Sequence, residues 1–130
     1  MRAAPSNSDD VIDSRSIIER IEELTEERDS FEKGGHEADW SLANPDEADE
    51  LKALEALAEE AEGYAPDWKH GATLIRDSYF VDYAEELCKD IGDMPQDIPS
   101  YIEIDWEKTA ENIQVDYTSV EFDGVTYWVR

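Results

Sequence analysis

The chain has 130 residues, 35 of them Asp or Glu against 11 Lys or Arg, for a formal net charge of −24. That excess excludes direct binding to nucleic acid, which needs a basic patch, and the lack of any apolar run near 18 residues excludes a membrane-spanning helix. Hydrophobic residues at 40%, with four Trp, six Tyr and three Phe, suffice for the core of one compact domain and are too many for an acidic disordered tail.

In chain order, residues 1–12 read as a flexible leader; their short polar start, Met1 to Ser8, predicts no signal peptide. Asp13 or Ser14 can cap a helix whose apolar stripe is Ile17, Ile21, Leu24 and Phe31, with Arg28 in the seam. Its outer face carries Glu19, Glu22, Glu23, Glu26 and Glu27, relieved by Arg15, Arg20, Arg28 and Lys33. Gly34-Gly35 ends it, and residues 36–43 form a loop containing Trp40. Asn44-Pro45-Asp46-Glu47 offers an N-cap, Pro at the first helical position and an acid to close a capping box. The helix that follows runs to about Glu62, with Leu51, Leu54, Ala58 and Ala61 inward. Asp46, Glu47, Asp49 and Glu50 at its start suit the helix dipole, whereas Glu59, Glu60 and Glu62 at its end oppose it. Residues 13–62 therefore read as an acidic antiparallel helical hairpin.

A linker rich in Gly, Pro and aromatics spans 63–73, and an α+β unit fills 74–130. Thr73 to Arg76 is a short strand; Asp77 or Ser78 then caps a helix with Phe80, Tyr83, Ala84, Leu87 and Ile91 on one face and Gly92 after it. Asp105 caps another through Ile113, with Trp106, Ala110 and Ile113 inward. Asp123-Gly124 between two β-rich runs predicts a hairpin, because both turn positions need φ > 0. Pairing Phe122 with Val125 puts Thr118, Val120, Phe122, Val125, Tyr127 and Val129 on one face. A lone hairpin is marginal, so helices must cover it. The fold class expected is α+β, an N-terminal helical hairpin followed by a small unit ending in a β-hairpin.

Catalytic chemistry finds no foothold. The single Cys88 makes no internal disulfide and, with two histidines, cannot complete a Cys/His zinc site. Cys88 lies between acids and Lys89 on a helix and reads as no nucleophile. A calcium loop starting at Asp93 lacks the glycine and terminal Glu at their positions. His36 and His70 sit in Gly-rich segments that read as surface. The expectation is no enzyme, no cofactor and no metal.

What remains is the acid. For any single Glu a solvated helix face is explanation enough, and solubility or a high-salt habitat could explain the whole. Yet 24 net charges match those on about 40 Å of duplex DNA. Carboxylates climbing helices at about 5.4 Å per turn can occupy a groove built for phosphates. The expected partner surface is Glu19, Glu22, Glu23, Glu26, Glu27, Asp46, Glu47, Asp49 and Glu50, with Asp82, Glu85 and Glu86 as further candidates.

Tyr83-Ala84-Glu85-Glu86-Leu87, the Tyr101 to Glu107 run and the closing Asp-Gly hairpin resemble the C-terminal segment of ArdA-type antirestriction proteins. The resemblance covers about residues 79–130; neither the N-terminal hairpin nor the family's central motif has a counterpart. It implies an acidic, dimeric DNA mimic, carried by phages and mobile elements, that occupies the DNA site of a restriction-modification enzyme. By charge alone, a CRISPR effector complex is an equal target. The expected protein is thus a cytoplasmic inhibitor of a host defence, without membrane or direct nucleic-acid contact, with a homodimer left open. The alternatives are an adaptor using the Ile17, Ile21, Leu24 seam and a hydrolase or metal protein with a carboxylate site.

Overall fold

Asp123 and Gly124 have φ of 48° and 82°, the two positive values demanded by a two-residue turn that matches strand twist. They fold β3 (Thr118–Phe122) onto β4 (Val125–Val129), with Phe122 opposite Val125, Val120 opposite Tyr127 and Thr118 opposite Val129. That is the expected register. β4 pairs with β2 (Thr73–Arg76) and β2 with β1 (Val11–Asp13), all antiparallel, in the order β1-β2-β4-β3. The structure, a computed structural model, describes residues 4–35, 39–90, 101 and 103–130. Expectations placed on Ile91, Gly92, the 93–100 loop, Ile102 and His36 lie outside the described residues.

The helices are α1 (Ser14–Lys33), α2 (Trp40–Ala43), α3 (Pro45–Glu62), α4 (Trp68–Gly71), α5 (Phe80–Asp90) and α6 (Trp106–Gln114). The fold is α+β, and helices cover both faces of the sheet. On one face Ile17 and Leu24 of α1 and Leu51, Leu54, Leu57 and Ala61 of α3 pack with Leu74, Val120, Phe122, Tyr127 and Val129. On the other, Phe80 and Ala84 of α5 and Ala110 of α6 pack with Ile75, Tyr117 and Trp128. Strand alternation sends Leu74 and Ile75 to opposite cores, as it does Tyr127 and Trp128.

The two long N-terminal helices do pack on each other, but their seam also roofs the sheet, so 13–62 and 74–130 share one core. Segment 63–73, expected as a linker, contributes Ala65, Trp68 and Ala72 to that core. Aromatics in a Gly- and Pro-rich stretch were anchors rather than decoration. Trp40, expected in a loop, starts the one-turn α2 and is buried. Leu57 is buried where Ala58 was expected, and Ala58 is only half-buried.

The leader also departs from expectation. Val11–Asp13 is an edge strand, and Arg76 Nε donates to the Asn7 carbonyl at 3.0 Å. Asn7 Nδ2 donates to the Asp123 carbonyl at 3.2 Å, and the Tyr127 hydroxyl donates to the Asp9 carbonyl. Burial pushes the Tyr127 phenol up to about 12. Small polar residues carry no periodic signal; these are held by partners distant in sequence, which the local pattern cannot show.

Asp13 caps α1 by accepting from Arg15 N at 2.9 Å. Ser14, the other candidate cap, is spent elsewhere. Its buried hydroxyl donates to the Trp68 carbonyl and accepts from Ala72 N, both at 2.7 Å, pinning the start of α1 to α4. Ser14→Ala leaves a buried N–H and a buried C=O without that partner, each worth about 1–3 kcal/mol. The expected loss is about 2 kcal/mol, read as a lower urea midpoint at unchanged slope.

Candidate partner-binding surface

Burying Ile17 and Leu24 turns the opposite side of α1 to water. Glu22, Glu26 and Glu27 are exposed there, and Glu19 and Glu23 are half-buried at its margins. Like charges at i,i+4, such as Glu19/Glu23 and Glu22/Glu26, destabilise the helix they sit on. Among the described residues, Glu22, Glu26 and Glu27 make no ion pair.

Glu23 and Glu50 have a different role. Arg20 forks onto Glu50, Nε to Oε2 at 2.8 Å and Nη2 to Oε1 at 2.9 Å, while Nη1 reaches Glu23 Oε2 at 3.0 Å. The Glu50 hydrogen bond, first of all, raises the Arg20 guanidinium above its ordinary value. This bidentate pair ties α1 to α3, and one guanidinium charge is shared between two of the expected binding carboxylates. Arg20→Met removes the tie and leaves Glu23 facing Glu50, so about 1 kcal/mol of stability should go. Salt should restore part of it, since the remaining repulsion is screened; thermal unfolding at two ionic strengths reads both effects.

At the start of α3, Pro45 occupies the first turn, with Asp46 and Glu47 beside the free N–H groups. The capping box is not formed: Asn44 makes no side-chain cap, and its amide donates to the Trp40 carbonyl at 3.3 Å instead. The α2 turn, invisible as a helix in the sequence, draws it away. Asp46 and Asp49 are exposed and Glu47 half-buried. The hairpin turn adds Asp123 to this end of α3, so that Asp46, Asp49, Glu50 and Asp123 line one hollow of about 300 Å³ with Ser6 and Asn7. Sequence reading missed Asp123 because its Asp-Gly signal speaks only of the turn.

Asp82, Glu85 and Glu86 lie on α5, across the sheet from α1 and α3. Asp82 is exposed, Glu85 pairs with Lys89 at 3.0 Å, and Glu86 accepts from the Tyr79 hydroxyl at 3.2 Å. The expected acids therefore occupy two sides of the molecule. Arg20 joins Glu23 to Glu50 and one hollow gathers Asp46, Asp49 and Glu50, while the α5 set lies across the sheet.

One acid at the end of α3 has a structural task. Glu60 Oε1 accepts from the Glu121 backbone N–H at 2.9 Å, closing a donor on the exposed edge of β3. Part of the charge placed against the helix dipole thus serves the sheet. Glu59 and Glu62 remain exposed, with no basic residue in that last turn.

Among the described residues no group of three or more His, Cys, Asp or Glu side chains is placed to hold a metal ion. No helix among them is long and apolar enough to cross a membrane. Exposed carboxylates accept hydrogen bonds and attract cations; that is the chemistry this surface offers. Comparisons with protein-family models, with characterised proteins and with solved structures return no match to the chain.

Proposed function

We propose that this protein is a non-catalytic, acidic DNA mimic that blocks the nucleic-acid-binding surface of a bacterial host defence protein, a restriction-modification enzyme or a CRISPR effector complex. The observation that carries the reading is the exposed series Glu22, Glu26 and Glu27 on α1, none of which makes an ion pair among the described residues, together with the exposed Asp46, Asp49 and Asp123 of a second acidic group beside α3. A rigid helix presents such carboxylates at near-constant spacing, which a groove lined with Arg and Lys forks accepts as it accepts phosphates. The resemblance to ArdA-type proteins lies on α5, α6 and the β3–β4 hairpin; α5 and α6 lie across the sheet from α1 and α3, which fits a scaffold role for those helices. The adaptor alternative is less favoured, because Ile17 and Leu24 of its seam are each 0% exposed within this fold and Ile21 is half-buried.

The test is capture from nuclease-treated bacterial lysate, followed by washes in low and high salt. A nucleic-acid-binding complex released by salt and displaced by duplex DNA is the expected result. A partner retained in high salt and indifferent to DNA sinks the proposal.

A further inference from the structure

β3 ends the sheet: among the described residues it pairs with β4 alone. In an antiparallel pair, hydrogen-bonded and non-hydrogen-bonded partners alternate. The two-residue turn makes Phe122 and Val125 a hydrogen-bonded pair, so Val120 and Thr118 also turn their backbone groups to β4. Ser119 and Glu121 turn theirs outward. The Glu121 N–H confirms this direction, since the acceptor it finds is Glu60 Oε1 of α3 at 2.9 Å. That carboxylate oxygen stands where a further strand would place a carbonyl. Among the described residues no acceptor meets the Ser119 N–H, and Ser119 and Glu121 are both exposed. We infer that the outer edge of β3 takes an extended basic segment of the partner as a further strand, whose carbonyl replaces Glu60 at the Glu121 N–H.

The occupant follows from charge and from strand alternation. Glu59, Glu60 and Glu62 close α3 with no basic residue in that turn. Arg130, beyond Val129, is the lone cation of residues 116–130. A second copy of the chain would set these acids against themselves, which disfavours self-pairing. Val120 points into the core that α3 roofs, so the incoming residue opposite Val120 points toward α3 as well. An arginine or lysine there takes up the Glu60 carboxylate as it leaves the Glu121 N–H. Glu60 thus exchanges a backbone donor for a cation, and Glu121 exchanges a side-chain acceptor for a backbone one. The inference rests on the reading of a basic partner and adds recognition through the main chain, which charge alone lacks.

The experiment is an NMR titration of the ¹⁵N-labelled chain with acetyl-Thr-Val-Arg-Val-Thr-amide. Two controls are the same peptide with both valine nitrogens methylated, which keeps its charge, and with neutral citrulline for arginine. The expected result is saturable movement of the Ser119 and Glu121 amide peaks and slower hydrogen exchange at Ser119, with the parent peptide and not the methylated one. Glu60→Gln keeps an oxygen acceptor and removes the charge; it and the citrulline peptide should each weaken binding about threefold. An equal response to the methylated peptide, or no saturable shift at Ser119, overturns the edge pairing while leaving a basic partner in place. Protection of Ser119 in the free chain that grows with its concentration assigns the edge to a second copy and overturns the inference too. Pairing at the edge, with no nucleic-acid-binding protein captured from lysate, upholds the edge and sinks the mimicry.

Discussion

Phe80→Ala is expected to cost about 3–5 kcal/mol, the range for removing a fully buried aromatic ring. Phe80 is 0% exposed and begins α5. Its ring meets Tyr83, Tyr117 and Trp128 edge-on at centroid distances of 5.5, 5.3 and 6.2 Å, a geometry that adds to burial. One side chain thus joins α5, the approach to β3 and the second face of β4. Domains of this size are stable by about 5–15 kcal/mol, and a net charge of −24 works against compaction. The variant should therefore be substantially unfolded at low ionic strength and partly recovered by salt. Phe80→Leu, which keeps most of the volume, should lose far less. Chemical denaturation followed by tryptophan emission checks both, and an alanine loss below about 1 kcal/mol would mean that the second core is not load-sharing as described.

The second large effect is on binding. Reversing Glu19, Glu22, Glu26 and Glu27 together to Lys moves the formal net charge from −24 to −16 and places cations along α1 where a basic groove expects carboxylates. At physiological salt the affinity for the captured partner should fall by about 100-fold or more, which is about 2.7 kcal/mol. Glu22→Gln alone should change it by less than about threefold, because one exposed charge in a wide field is worth little. None of the four makes an ion pair among the described residues, so the fold and the thermal midpoint should survive. Retained affinity in the quadruple variant rules out α1 as the mimicking face and turns attention to Asp46, Asp49 and Asp123.

The contrast between these two predictions reflects what a sequence can display. The hairpin register was legible because turn chemistry at Asp123-Gly124 and strict alternation both act within a few residues. The caps at Asp13 and Asp105 were legible for the same reason, and both accept the expected backbone N–H. Trp40 and Trp68 were not, since each sits in a one-turn helix that has no period to detect. Edge strand β1 is three residues long and depends on β2, some sixty residues away. Nor could the sequence separate free carboxylates from committed ones. Glu23, Glu50 and Glu60 read like their neighbours, yet Arg20 takes two of them and the β3 edge takes the third. Charge composition cannot make that separation; the packing of α1 on α3 and the edge of β3 show which acids are engaged within the fold.

The most direct measurement of the central claim is the affinity of the purified chain for its captured partner at several salt concentrations, with and without duplex DNA. Mimicry predicts that affinity falls steeply and linearly on a log–log plot against salt, and that DNA and this protein exclude one another from the partner. A ternary complex with DNA, or an affinity flat in salt, would contradict it.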